Sequence, residues 1–149
     1  MADTISIIVN SGGQKVTFDL SSFSQGLENT VSLNSTGGGA GKPVQLPTMI
    51  SFQLDSTLPD FILLAFEGKH FDTVEVDFAK TAATGAKPQL YYKVVMSEVF
   101  ITNIAYSAAG SVPVVEASLV YEKAQFSSYL ANGGLSESHS IDFTKNIGS

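Results

Sequence analysis

No cysteine, tryptophan or arginine occurs among the 149 residues. The missing thiols exclude disulfides, thiolate metal sites, iron–sulfur clusters and cysteine nucleophiles, and they leave the compartment open. The missing arginine removes the usual reader of nucleic-acid base edges. Eight lysines face fourteen carboxylates for a net charge of −6, so nucleic acid is not an expected partner. Long hydrophobic runs are missing too. The start, Met1-Ala2-Asp3-Thr4, has no basic region, and the apolar run over residues 5–9 is short and interrupted by Ser6. Neither a signal peptide nor a membrane span is expected. Charge of either sign is sparse, at 15% of residues, whereas 44% are hydrophobic and Ser, Thr and Gly supply much of the polarity. That balance suits sheet surfaces better than solvated helices.

What is present reads as one domain, 1–149, of a size that buries roughly 68–70% of its unfolded surface. Residues 5–9 read as a strand, 10–13 as a turn and 15–20 as its alternating partner. Residues 30–33 alternate again. Residues 35–47, with four glycines and two prolines, break the periodicity and are expected to form a long exposed loop. A strand resumes at 49–54. One helix is expected over about 58–67. Thr57 is its N-cap candidate, Pro59 and Asp60 lie in the first turn, Leu58, Phe61, Ile62 and Ala65 form an apolar stripe, and Gly68 follows the last apolar residue. Strands over 73–78, 90–106 and 114–129 follow in hairpin order, and Val115, Ala117, Leu119 and Tyr121 share one face. Residues 130–149 are a short tail, polar and loose up to Ser140, with a brief alternating segment at 141–143. The fold class is mainly β: a small antiparallel barrel or two-sheet sandwich with one flanking helix. Such a sheet must close its edges or pair them with a neighbour.

Chemistry-bearing residues are few. His70 and His139 are the only histidines, and no G-x-S-x-G elbow accompanies either. His70 directly follows the helix, where an imidazole can cap carbonyls and meet the negative end of the dipole. His139 reads as a solvated residue. With no H-x-x-x-H pair and no thiol, neither a metal site nor a cofactor site is expected. Glu75 and Asp77 share a strand face, which reads as a wet surface opposite Val74, Val76 and Phe78. Residues 37–42 resemble a phosphate loop only superficially, since Thr36 and Pro43 stand where glycine and a hydroxyl residue are required.

Several segments in order carry a resemblance. Gly37, Gly38, Gly39, Ala40, Gly41 and Lys42, the strand over 50–54, Asp55-Ser56-Thr57-Leu58-Pro59 opening the helix and Gly68-Lys69-His70 closing it resemble the Hcp family of bacterial type VI secretion. The likeness continues through residues 90–99 and 115–129, with an echo at 141–147. The resemblance implies a β-barrel subunit of a homohexameric ring. Stacked rings form the inner tube that a contractile sheath propels, related to phage tail tubes. It implies the sheath, a VgrG-like spike, the baseplate and small effector proteins in the lumen as partners. It also implies export from the bacterial cytoplasm without a cleaved signal peptide, no membrane insertion and no catalysis. By resemblance, residues 37–42 would contact the adjacent ring and Glu28 would face the lumen. This chain lacks the tryptophans frequent in that stretch, and it has too few residues after Tyr129 for an appended toxin domain.

Two other readings stay open on the residues alone. One is a small hydrolase using carboxylates such as Asp72, Glu75 or Asp77, which would need two carboxyls facing across a cleft. The other is a monomeric ligand- or carbohydrate-binding module with an exposed aromatic platform.

Overall fold

The structure, a computed structural model, describes residues 3–34, 37–54, 56, 58–80, 88–110, 112–144 and 147–148. The chain opens with a tight hairpin of β1 (Asp3–Ser11) and β2 (Gln14–Asp19), paired out to Ser11↔Gln14. Its two-residue connection is Gly12 at φ 59° and Gly13 at φ 87°. Positive φ at both positions suits a type I′ turn, whose twist matches that of the strands and which glycine adopts without steric cost.

The remaining elements are β3 (Ser22–Asn34), β4 (Gly37–Gln53), α1 (Leu58–Glu67), β5 (Phe71–Lys80), β6 (Gln89–Ser107), β7 (Val114–Tyr129), β8 (Leu135–Asp142) and the short β9 (Ile147–Gly148). All pairings are antiparallel, in the order β2-β1-β5-β6-β7-β4-β3, with β8 branching from β7 and β9 pairing β8. The fold is therefore mainly β with one helix. The sheet is not closed into a barrel, because among the described residues no ladder joins β2 to β3 at the two ends of the path. It nevertheless curls on itself: Phe18 of β2 lies 4.7 Å from Phe52 of β4, and Phe23 of β3 lies 5.5 Å from Phe78 of β5.

Curvature is written into the inward face. Along β7, Val115, Ala117, Leu119 and Tyr121 are all buried, and the next buried apolar residue is Ala124, one residue out of phase. The same slip occurs between Phe71 and Val74 on β5 and between Met96 and Val99 on β6. The slips lie side by side, since Phe71 pairs Val99 and Val99 pairs Tyr121. At this level Glu98 takes φ 55°, a left-handed conformation in mid-strand. Local departures of this kind bend a strand and increase its twist, letting a wide sheet wrap one core.

The helix seals that core. Phe61 is buried with its ring 5.5 Å from Phe18, 5.9 Å from Phe52 and 5.6 Å from Phe71. Gly68, at φ 69°, ends α1 in a Schellman arrangement: Lys69 N–H donates to Leu64 C=O at 3.2 Å and Gly68 N–H to Ala65 C=O at 3.3 Å. The buried stripe differs from the expected one. Phe61, Leu64 and Ala65 turn inward while Ile62 stays 38% exposed, because apolar residues surround this helix and the position of the sheet chooses the face.

Two other expectations need correction. The expected loop over 35–47 is strand from Gly37 onward, with Asn34↔Gly37, Ser32↔Gly39 and Glu28↔Val44 in register. A ladder needs only backbone N–H and C=O groups, which glycine supplies as well as any residue. Pro43 and Pro47, which cannot donate, sit beside the two register shifts of this pair. The loose polar tail is likewise an ordered strand over much of its length, as β8 pairs β7 from Tyr129↔Leu135 to Lys123↔Asp142. Its Ser-rich composition reflects an exposed edge position.

Candidate functional site

The sheet borders are the first candidate. β2 and β3 each have a single partner strand among the described residues. The short joint between them is fixed by Leu20 N–H donating to Ile5 C=O at 2.8 Å and Ser21 N–H to Ser51 C=O at 2.7 Å. Among the described residues β3 presents a long outer edge with no partner strand, a form of surface that a neighbouring strand can complete.

The β3–β4 hairpin is the second. Only residues 48–53 of β4 pair with β7, whereas residues 37–46 pair with β3 alone, so the distal hairpin departs from the sheet. Where it departs, Gln45 folds back: its Nε2 donates to Tyr121 C=O at 2.7 Å and its Oε1 accepts from Tyr121 N–H at 2.9 Å. Gln45 points to the body of the protein, so its strand neighbours Val44 and Leu46 point the other way. Glu28, cross-strand from Val44, shares that outward face and is exposed. Val44 and Leu46 are also exposed, so the face is apolar with one carboxylate. Residues 37–42 lie at the far end of this hairpin. Sequence reasoning missed the role of Gln45. Its signal was a lone amide between Val44 and Leu46 at the alternation of a strand.

The residues considered for chemistry do not form a cleft. Thr57 lies outside the described residues. The Nε2 of His70 lies 2.8 Å from Glu98 Oε2 and 3.8 Å from Asp72 Oδ1, and its ring lies 5.5 Å from that of Phe100. These contacts place His70 as a bridge between β6 and the start of β5, with Phe71 beside it buried in the core. Asp72 Oδ2 also accepts from Gly12 N–H at 3.1 Å, fastening the β1–β2 turn. His139 lies opposite Phe126 on β8, with Glu137 at 3.9 Å.

Glu75 and Asp77 occupy the outer face of β5, but that face is drier than expected. Both are half-buried, and Asp77 Oδ1 is fully buried without a hydrogen-bond partner. Burial, followed by the hydrogen bond and the charge of Glu75, pushes Asp77 up to about 6, against a smaller opposing effect of Lys93. Lys93 is the cross-strand partner of Asp77, yet its ammonium lies 3.6 Å from Glu75 Oε2. Glu75 and Asp77 are thus adjacent carboxyls on one face of one strand, with Lys93 beside Glu75. Two carboxyls facing across a substrate cleft would look different. Among the described residues no group of three or more His, Cys, Asp or Glu side chains is placed to hold a metal ion. No described helix is long and apolar enough to cross a membrane.

These features define a mainly β class: a curled antiparallel sheet with open borders among the described residues, a departing hairpin and one sealing helix. The chain belongs to the family described as type VI secretion system effector, Hcp, whose model matches residues 9–127. Solved structures agree on the fold. The Hcp1 protein of E. coli EAEC 042 is 16% identical with a TM-score of 0.79, covering 95% of this chain and 99% of that one. Hcp1 from Salmonella typhimurium is 14% identical with a TM-score of 0.78 and full coverage of both chains, 100% and 100%. A further Hcp protein is 18% identical with a TM-score of 0.76, covering 95% of this chain and 98% of that one. Comparison with curated proteins returns no match.

Proposed function

We propose that this chain is a non-catalytic subunit of a hexameric ring, that rings stack into the inner tube of a type VI secretion apparatus, and that small effector proteins travel in the lumen. The observation that carries the reading is the pair of open borders. Among the described residues β2 and β3 end the sheet without a second partner strand, and the 13-residue edge of β3 is long for a monomer to leave bare. A heterologous contact repeated around a closed ring covers such edges without leaving a free end. Membership in the Hcp family supports the same assembly.

Within this reading, Glu28 faces the lumen, and residues 37–42, at the tip side of the departing hairpin, contact the adjacent ring. Gly68 and His70 serve the fold of the subunit: the glycine ends α1 and the imidazole ties β6 to β5. The partners are other copies, the sheath, the spike, the baseplate and the carried effectors. The subunit leaves the bacterial cytoplasm through the apparatus itself. Electron microscopy of the purified protein tests the proposal directly. Annuli of sixfold symmetry with a central hole are expected, whereas a field of single small particles at high concentration contradicts it.

A further inference from the structure

The turn between β7 and β8 holds the one asparagine of the chain that glycine follows. Asn132 precedes Gly133 and Gly134, whereas Asn10, Asn29, Asn34, Asn103 and Asn146 precede Ser, Thr, Ser, Ile and Ile. The first four of those lie within β1, β3 and β6, where the ladder holds the backbone extended. Asn132 and both glycines are exposed, at a hairpin tip that water reaches.

An asparagine carries an electrophile, its amide carbon Cγ, within reach of the backbone nitrogen of the next residue. Bond formation between them closes a five-membered ring, so the reaction has the advantage of an intramolecular attack. Glycine at the second position has no Cβ to obstruct that approach, and Gly133 takes φ 90°. The turn also polarises the electrophile. Gly134 N–H donates to Asn132 Oδ1 at 2.8 Å, the oxygen on which negative charge gathers when Cγ becomes tetrahedral. One bond opposes the attack: Gly133 N–H, which carries the nucleophile's own proton, donates to Leu130 C=O at 2.9 Å. Leu130 N–H to Gly134 C=O, at 2.7 Å, closes the same turn. All of these residues are exposed, so local opening of the tip costs far less than unfolding the sheet.

We infer that Asn132 is a self-modification site, at which the chain converts its own side-chain amide to a carboxyl through a cyclic imide. Gly133 N loses its proton to hydroxide and bonds to Asn132 Cγ. The Cγ–Nδ2 bond breaks, and the nitrogen leaves as ammonia with a proton from water. One water then opens the imide. Cleavage at Cγ restores the main chain and gives aspartate, whereas cleavage at the main-chain carbonyl gives isoaspartate, in which the chain runs through the former side chain. Overall one water is consumed and one ammonia released. Both products add a negative charge at the tip. Isoaspartate also lengthens the main chain by a methylene, close to the Tyr129↔Leu135 pair that begins the β7–β8 ladder. This goes beyond the tube reading, which assigns nothing to this turn.

The test incubates the full chain in mildly alkaline buffer at body temperature over weeks. Samples are digested with trypsin beside an unaged control and followed by liquid chromatography with mass detection. Trypsin leaves Asn132 as the sole asparagine of the peptide 124–145. The parent form of this peptide is expected to be lost ahead of every other asparagine-containing peptide, with isoaspartate and aspartate forms both taking its place. Isoaspartate is the signature of the imide, because direct hydrolysis of the amide gives aspartate alone. Asn132→Gln must close a six-membered ring and is expected to keep the peptide intact over the same period. Survival of Asn132 while another asparagine converts, or a product that is aspartate alone, would overturn the inference.

Discussion

The side-chain amide of Gln45 satisfies both backbone groups of Tyr121, accepting from its N–H at 2.9 Å and donating to its C=O at 2.7 Å. Tyr121 sits where β7 changes partners. The ladder with β4 ends at Thr48↔Leu119, and the ladder with β8 begins at Lys123↔Asp142. In that gap one glutamine does what a strand would otherwise do, and it anchors the root of the β3–β4 hairpin. Gln45→Leu removes both partners at a buried position and is expected to destabilise the fold by about 2–4 kcal/mol. The Tyr121 amide should then exchange markedly faster. Gln45→Glu keeps the acceptor and loses the donor, so it should fall between the two. Thermal melts with residue-resolved hydrogen exchange check both.

Asp77 makes stability depend on pH in a defined direction. Its folded pKa, about 6, lies above its ordinary value of 3.8, so the folded state holds the proton more tightly. The contribution is complete below pH 4 and lost as pH rises through 6. Asp77→Asn, which carries no charge to bury, is therefore expected to gain on the order of 1 kcal/mol over the parent at pH 8, allowing for solvent screening. That corresponds to about 2–4 °C in Tm. At pH 4 the two should melt together. A gain that is equal at both pH values would assign the effect to packing.

Glu98 tests the crease. At φ 55° a β-branched side chain is strained, whereas asparagine is tolerated. Glu98→Val is expected to be less stable than Glu98→Asn by about 1–2 kcal/mol. Both lose the contact with His70, which at about 44% and 43% side-chain exposure is worth little by itself. Denaturant unfolding of the two variants gives the difference.

Phe61 tests the seal. Its ring contacts three other buried or partly buried phenylalanines, and truncation leaves a void among them. Phe61→Ala is expected to cost about 3–5 kcal/mol and to free α1 before the sheet unfolds. Loss of helical far-UV signal ahead of the global transition would show it.

The strands and the helix were legible because their signals are local. Alternation placed Val115, Ala117, Leu119 and Tyr121 on one face, and Gly68 marked the end of α1. The hairpin arm over 37–47 was not legible as strand, because turn-forming composition hides a ladder that depends on the backbone alone. β8 was hidden for a related reason: an exposed edge strand can be rich in serine and still pair fully. The family resemblance pointed to borders and the hairpin as assembly surfaces. The Gln45–Tyr121 staple and the crease at Glu98 arise from contacts distant in sequence, which periodicity does not encode.

The central claim is that the bare margins of this sheet are completed by sister copies. Hydrogen–deuterium exchange across β3, Ser22–Asn34, measured on concentrated and on highly diluted protein, tests it most directly. The account predicts that the alternate amides facing away from β4 are protected in the concentrated sample, together with a hexamer mass, and become labile on dilution. Rapid exchange of those amides at every concentration, in a protein that always has the mass of one chain, would contradict it.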